Sequence, residues 1–205
     1  MSEAEEVANH LREQGTEVLV AKAAMENAAA VEEMIDATIQ RFGRIDILVN
    51  SAGIWEPTRL EDVTADDVRR YFDVNTLGCF VAARAAGLKM VSQASGGAII
   101  NIGSVLSDRA IPLQGMYAAT KHAVKAYTDA LRMELEEEGA PISVSLIKPA
   151  AINTPYPEHA RNRLENSPKL PAPIYAPEVV ARAILACAER PIRHVYAGGA
   201  GPLYP

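Results

Sequence analysis

The sequence predicts a doubly wound α/β fold with a mostly parallel sheet, and three observations carry that expectation. Short apolar runs bounded by glycine or proline alternate with longer segments whose apolar residues recur at helical spacing. The run I-D-I-L-V-N (45–50) is apolar almost without a break, as strands covered on both faces are. No internal repeat, low-complexity tract or composition shift divides the 205 residues, so residues 1–205 read as a single domain.

The elements follow in order. Residues 3–14 form an acidic amphipathic helix closed by Gly15, and E-V-L-V-A-K-A (17–23) reads as a short strand. Val31, Met34, Ile35 and Ile39 share one face of a helix over 28–42 that Gly43 stops. Strand 45–50 comes next. Thr64 and Asp67 have the spacing of a capping box, opening a helix that runs to residue 91. Its small apolar stretch 82–87 suits close contact with another helix. G-G-A-I-I-N-I-G (96–103) is a strand, 115–138 a long helix ending in three glutamates and Gly139, and I-S-V-S-L-I (142–147) a strand that Pro149 ends. Residues 149–177 are rich in proline and poor in apolar runs, which marks a substrate loop or lid. Pro177 opens a last helix to 189, and R-H-V-Y-A (193–197) is the final strand.

A net charge of -6 and a pI near 5.3 argue against nucleic acid or an anionic membrane as partner. No apolar run is long enough to span a bilayer, and the N-terminus lacks the charged-then-apolar layout of a signal peptide, so a cytoplasmic location is expected. Cys79 and Cys187 sit among small apolar residues as buried thiols. His10, His122, His159 and His194 are scattered, and no Cys/His cluster has the spacing of metal ligands.

The chemistry is concentrated at Y-A-A-T-K (117–121). Tyr117 and Lys121, at i and i+4, share a helix face, where an ammonium stabilises a phenolate and lets it trade a proton near neutral pH. A Tyr–Lys pair at this spacing is weak alone, since two common residue types meet so by chance. Context strengthens it. Ser104 follows strand 96–103, at the carboxyl edge where open α/β sheets bind ligands, and the Tyr–Lys helix begins near that edge.

These residues resemble, in order, the motifs of the short-chain dehydrogenase/reductase family, with its Rossmann-like sheet. N-S-A-G (50–53) is similar to the family's N-N-A-G, with Ser51 replacing the second Asn. V-N-T-L-G (74–78) holds the helix asparagine at Asn75, I-N-I-G-S (100–104) the serine, and I-K-P-A-A-I-N-T-P (147–155) the P-G-x-x-x-T segment with Ala150 replacing Gly. V-Y-A-G-G-A-G resembles the last strand of one bacterial branch. The resemblance implies hydride transfer between NAD or NADP and a carbonyl or secondary alcohol. Tyr117 becomes the general acid/base. Lys121 holds the nicotinamide ribose and lowers the Tyr117 pKa, Ser104 binds the substrate oxygen, and Asn75 places a water leading protons to Lys121. Asn50, Ala52 and Gly53 line the cofactor, and Pro149 and Thr154 meet its nicotinamide end. Ala24 falls where the family usually has an Asp touching adenine. The resemblance also implies a homo-oligomer formed through helices 65–91 and 115–138. Trp55, Met116, Tyr156 and His159 are candidate pocket residues for a mostly apolar substrate.

One family element is missing from the sequence: the opening strand, T-G-x-x-x-G-x-G turn, helix and second strand, at least one βαβ unit or ~30 residues. The expectation is an N-terminally truncated enzyme whose cofactor binding is impaired, because the lost turn supplies amides for the pyrophosphate. G-G-A-G at 198–201 cannot substitute, since it follows the last strand. In the resembled strand order 3-2-1-4-5-6-7, the loss leaves strand 45–50 with a bare edge. We expect strand 17–23 to move beside it through helix 28–42 as a right-handed crossover. The competing reading is a non-catalytic relative that associates through helices 65–91 and 115–138. A sugar-nucleotide epimerase or dehydratase also uses a Tyr–Lys pair, but too little chain follows Thr154 for its substrate region.

Overall fold

A computed structural model describes residues 2–155 and 170–199. Four parallel strands form the main sheet: β1 (Ile47–Asn50), β2 (Gly97–Ile102), β3 (Ile142–Pro149) and, beyond two short strands, β6 (His194–Ala197). The order is β1-β2-β3-β6. Leu48 lies opposite Ile99, Ile99 opposite Val144, and Ile147 opposite Val195. The short strands β4 (Ala151–Ile152) and β5 (Ile174–Tyr175) pair in parallel as a separate two-stranded sheet.

Alternation along the strands sends neighbours to opposite faces, and two cores result. Ile99 and Val144 face a core built with Val31 and Ile35 of α2 (Ala28–Phe42), Ala82, Ala83 and Ala86 of α4 (Gly78–Val91), and Leu135 of α5 (Gly115–Glu137). Ile100 and Ile147 face the other way, against Ala183 and Cys187 of α6 (Glu178–Glu189). Helices therefore cover both faces, as a doubly wound sheet requires. The alanines of α4 admit α2 as an outer layer over it.

The helix ends show why these segments are helical. Asn27 accepts from the Ala30 amide at 3.2 Å to start α2, and Gly43, at φ 78°, ends it. Thr64 and Asp67 form the reciprocal capping box of α3 (Ala65–Phe72). In the N-terminal helix α1 (Glu3–Glu13), Ser2 takes the cap position.

Two expectations are corrected. Residues 17–23 form no strand and pair with nothing in β1; the repaired crossover does not exist. Side chains tie this segment to its neighbours instead: Arg12 donates to the Val18 carbonyl at 3.1 Å, and Arg41 pairs with Glu17 at 3.0 Å. The edge of β1 stays bare, with Ile47 48% and Val49 36% exposed. The apolar stripe of α2 is already seated on α4, which holds the segment leading into α2 away from that edge. The helix expected to run from 64 to 91 is interrupted by a π-helical turn, Asp73–Leu77. Wide turns of this kind occur mostly at functional positions, and this one carries Asn75.

Gly96 packs its backbone against Pro141 at φ +62°, so a Cβ there would collide with the Pro141 carbonyl oxygen. Gly96→Ala should cost at least ~2 kcal/mol of unfolding free energy, read from denaturant melts; an unchanged midpoint would show that the 93–97 turn relaxes freely.

Candidate active site

The carboxyl ends of β2 and β3 build the site. Strand β2 ends at Ile102, the Gly103 amide donates to the Ile147 carbonyl at 2.8 Å, and Ser104 opens a one-turn 3-10 helix, Val105–Ser107. That turn is closed on itself. The Ser104 amide donates to Ser107 Oγ, and the Leu106 amide donates to Ser104 Oγ, each at 3.1 Å. With its oxygen taken by an amide, the Ser104 hydroxyl has its hydrogen to give.

Helix α5 presents Tyr117 and Lys121 one turn apart. Lys121 is buried, its Nζ lies 5.7 Å from the centre of the Tyr117 ring, and it donates to the Ile102 carbonyl at 2.8 Å. Burial lowers its pKa to about 8. Burial pushes Tyr117 up to about 12, opposed by a side-chain hydrogen bond with Ser104. The net direction is therefore upward, where the Tyr–Lys spacing led to a lowered value: in this arrangement desolvation dominates, and the contribution that opposes it comes from Ser104.

Asn75 spends its side chain on the loop after β1 and on α5. Its Oδ1 accepts from the Ile54 amide at 2.6 Å, and its Nδ2 donates to the Ile54 carbonyl at 3.0 Å and Thr120 Oγ1 at 3.1 Å. Both amide hydrogens are thus committed, and Asn75 clamps the loop after β1 to α5. Thr120, fully buried, passes the link on by donating to the Tyr117 carbonyl at 2.8 Å. Asn50 likewise turns into the protein, donating to Asn101 Oδ1 at 2.8 Å; Asn101 in turn donates to Thr128 Oγ1 at 2.9 Å. Thr120 and the Asn101–Thr128 pair were not foreseen. A lone Asn inside the apolar run I-I-N-I was the available signal, because a buried amide needs partners.

A cavity of about 480 Å³ opens between the two strand ends and α6. Ser104, Tyr117, Lys121, Gly53, Pro149 and Thr154 line it; Asn50, Ala52 and Asn75 do not. Of the proposed pocket residues, Trp55 lines it, Met116 does not, and Tyr156 and His159 lie outside the described residues. Ile102, Leu106, Ile111, Ile152, Val180 and Ile184 make most of the remaining wall apolar, with Ser51 and Gln114 as polar exceptions. Among the described residues, no group of histidines, cysteines and carboxylates could hold a metal ion, and no helix is long and apolar enough to cross a membrane.

The carboxyl edge of an open parallel sheet thus gathers a hydroxyl, a phenol and a buried ammonium around one cavity. The chain belongs to the short-chain dehydrogenase family, whose model, described as short chain dehydrogenase, matches residues 1–165. The uncharacterized oxidoreductase YxnA of Bacillus subtilis is 40% identical over 194 residues, 94% of this chain and 54% of that protein. A 3-oxoacyl-(acyl-carrier-protein) reductase of Synechocystis is 35% identical over 145 residues, 71% of this chain and 58% of that one. The crystal structure of gox2181 superposes with a TM-score of 0.82 at 26% identity, covering 95% of this chain and 80% of that chain. The chain spans about half the length of the curated relatives it matches.

The folded pKa of Lys121 lies below its ordinary 10.5, so between about pH 8 and 10.5 the folded state holds fewer protons and this group's contribution to stability rises with pH. At pH 7 the buried ammonium is a net cost. Lys121→Met should melt at or above the wild-type temperature at pH 7, with its relative advantage shrinking toward pH 10; a variant markedly less stable at pH 7 would refute this. Asn75→Ala leaves the Ile54 amide and carbonyl without their partner. It should cost about 2–4 kcal/mol in denaturant unfolding.

Proposed function

We propose that this chain carries the catalytic half of a nicotinamide-dependent oxidoreductase, moving a hydride between NAD or NADP and a carbonyl or secondary alcohol. One observation supports this above the others: Ser104, Tyr117 and Lys121 line one cavity at the carboxyl ends of β2 and β3, with the Lys121 Nζ 5.7 Å from the centre of the Tyr117 ring. In the direction of reduction, Ser104 and Tyr117 donate hydrogen bonds to the substrate oxygen as negative charge develops there. Tyr117, protonated at neutral pH because burial raises its pKa, then gives up its proton to the nascent alkoxide. Lys121 stabilises the phenolate left behind by its charge. The reverse sequence oxidises an alcohol.

The residues present fit the nicotinamide half of the cofactor. Lys121 spends one of its three N–H donors on Ile102, leaving others for ribose hydroxyls, while Gly53, Pro149 and Thr154 border the same cavity. The cofactor supplies or accepts the hydride. Asn50 and Ala52 would support that wall through the loop after β1. The apolar lining favours a substrate with one reducible oxygen on an uncharged body. Leu88 on α4 and Met133 on α5, 60% and 66% exposed, leave apolar surface for a second copy of the chain.

Two measurements test the reading. Millimolar NADH or NADPH should raise the melting temperature of the chain, and Tyr117→Phe should lower turnover of an apolar ketone about 10²–10⁴-fold. A Tyr117→Phe variant that turns over like wild type would sink the assignment.

A further inference from the structure

Outside the cavity, one cluster of ionisable groups sits directly behind the serine. Lys148, on β3 between Ile147 and Pro149, is 2% exposed, and its Nζ donates to both oxygens of Asp108, at 3.0 and 2.8 Å. It also donates to the Tyr196 hydroxyl at 3.3 Å and lies 4.8 Å over that ring; the Tyr196 hydroxyl donates to Asp108 Oδ2 at 3.0 Å. Lys148 and Tyr196 are register partners across β3 and β6. A lysine buried beside Val144, Leu146 and Ile147 on one strand is costly to desolvate unless its charge meets a partner.

That partner is the last residue of the serine turn. The Asp108 amide donates to the Val105 carbonyl at 3.4 Å, so Asp108 closes the unit that Ser104 opens. The unit is pinned at both ends to consecutive residues of β3. In front, the Gly103 amide is held by the Ile147 carbonyl; behind, the Asp108 carboxylate is held by the Lys148 ammonium. With the front pin alone, the turn could pivot about Gly103 and carry Ser104 Oγ away from Tyr117.

We infer that Lys148, with Asp108 and Tyr196, is a positioning residue that fixes the Ser104 hydroxyl against Tyr117 by clamping the far end of the 104–108 turn to the sheet. This rests on the reading of Ser104 and Tyr117 as the pair that meets the substrate oxygen. It assigns no contact with substrate to Lys148. Burial pushes the Asp108 carboxyl up, but Lys148 and Tyr196, with Lys125 farther off, hold it below the usual carboxylate range, as a clamp that stays ionised requires.

The test pairs kinetics with a spectroscopic readout that needs no turnover. In protein carrying ¹³C-labelled tyrosine, the Tyr117 ring signal is assigned by its loss in Tyr117→Phe, with Tyr71 and Tyr127 as controls. Ser104→Ala should move the Tyr117 signal, and Lys148→Met should move it in the same direction while the controls stay in place. Lys148→Arg, which keeps a charged donor, should restore it. In ketone reduction, Lys148→Met should lower kcat about 10–100-fold with little change in KM, because a hydroxyl displaced by an ångström or less is lost mainly in the transition state. Should Lys148→Met unfold, Tyr196→Phe, which removes one hydroxyl from the clamp, should shift the Tyr117 signal partway. A Tyr117 signal unmoved in both folded variants would overturn the inference. A wild-type chain that reduces no ketone would count against the oxidoreductase reading alone, since the tyrosine signal decides the clamp without it.

Discussion

The hydrogen bond from Lys121 to the Ile102 carbonyl is the contact on which the site depends. It joins the long helix α5 to the last residue of β2, the strand paired on both sides, and so fixes the phenol and the serine in one frame. Without it, Tyr117 would be placed by helix packing and Ser104 by strand pairing, two references free to drift apart. The ammonium is held by a neutral carbonyl in a desolvated setting, which is why its proton is loosely bound. One ammonium thus both ties α5 to β2 and, in the proposed reaction, steadies the phenolate, and its burial costs stability at that point.

A second layer of polar contacts runs beneath that frame. Asn75 grips the loop after β1 through both backbone groups of Ile54 and reaches α5 through Thr120, while Asn50, Asn101 and Thr128 cross from β1 through β2 to the same helix. Satisfied amides buried in an apolar core cost little when every partner is present and specify one arrangement of the elements. Two strands, the loop after β1 and helix α5 are thereby locked together beside the cavity, with hydrophobic burial supplying the bulk of the stabilisation.

Much of this was legible in the sequence because it is local. Glycine stops at 15, 43 and 139, the Thr64–Asp67 box and the 3.6-residue stripe of α2 each act within a few residues, and the helix ends they mark lie where expected. The serine and the Tyr–Lys pair were legible because strand ends and helix faces are fixed by the same local rules. Segment 17–23 was misread because a strand exists only through its neighbour: V-L-V has the composition of a strand, but the segment does not reach the bare edge of β1. The π turn at 73–77 was invisible because D-V-N-T-L is ordinary helical sequence until Asn75 finds Ile54. The direction of the Tyr117 shift was missed for a related reason. Spacing along a helix reports that an ammonium is near, and says nothing of how much water has been removed from both groups.

The bare edge of β1 bears on how the molecule opens. A strand bonded on one side gives up its amide protection more readily than β2 or β3, each bonded on two. The loop 51–55 hangs from that strand, so one wall of the cavity rests on an edge of the sheet, while Ser104 follows the inner strand β2 and Tyr117 is carried by α5. Local opening of β1 therefore reaches the cavity through that wall. Trp55, the chain's single tryptophan, stands in it.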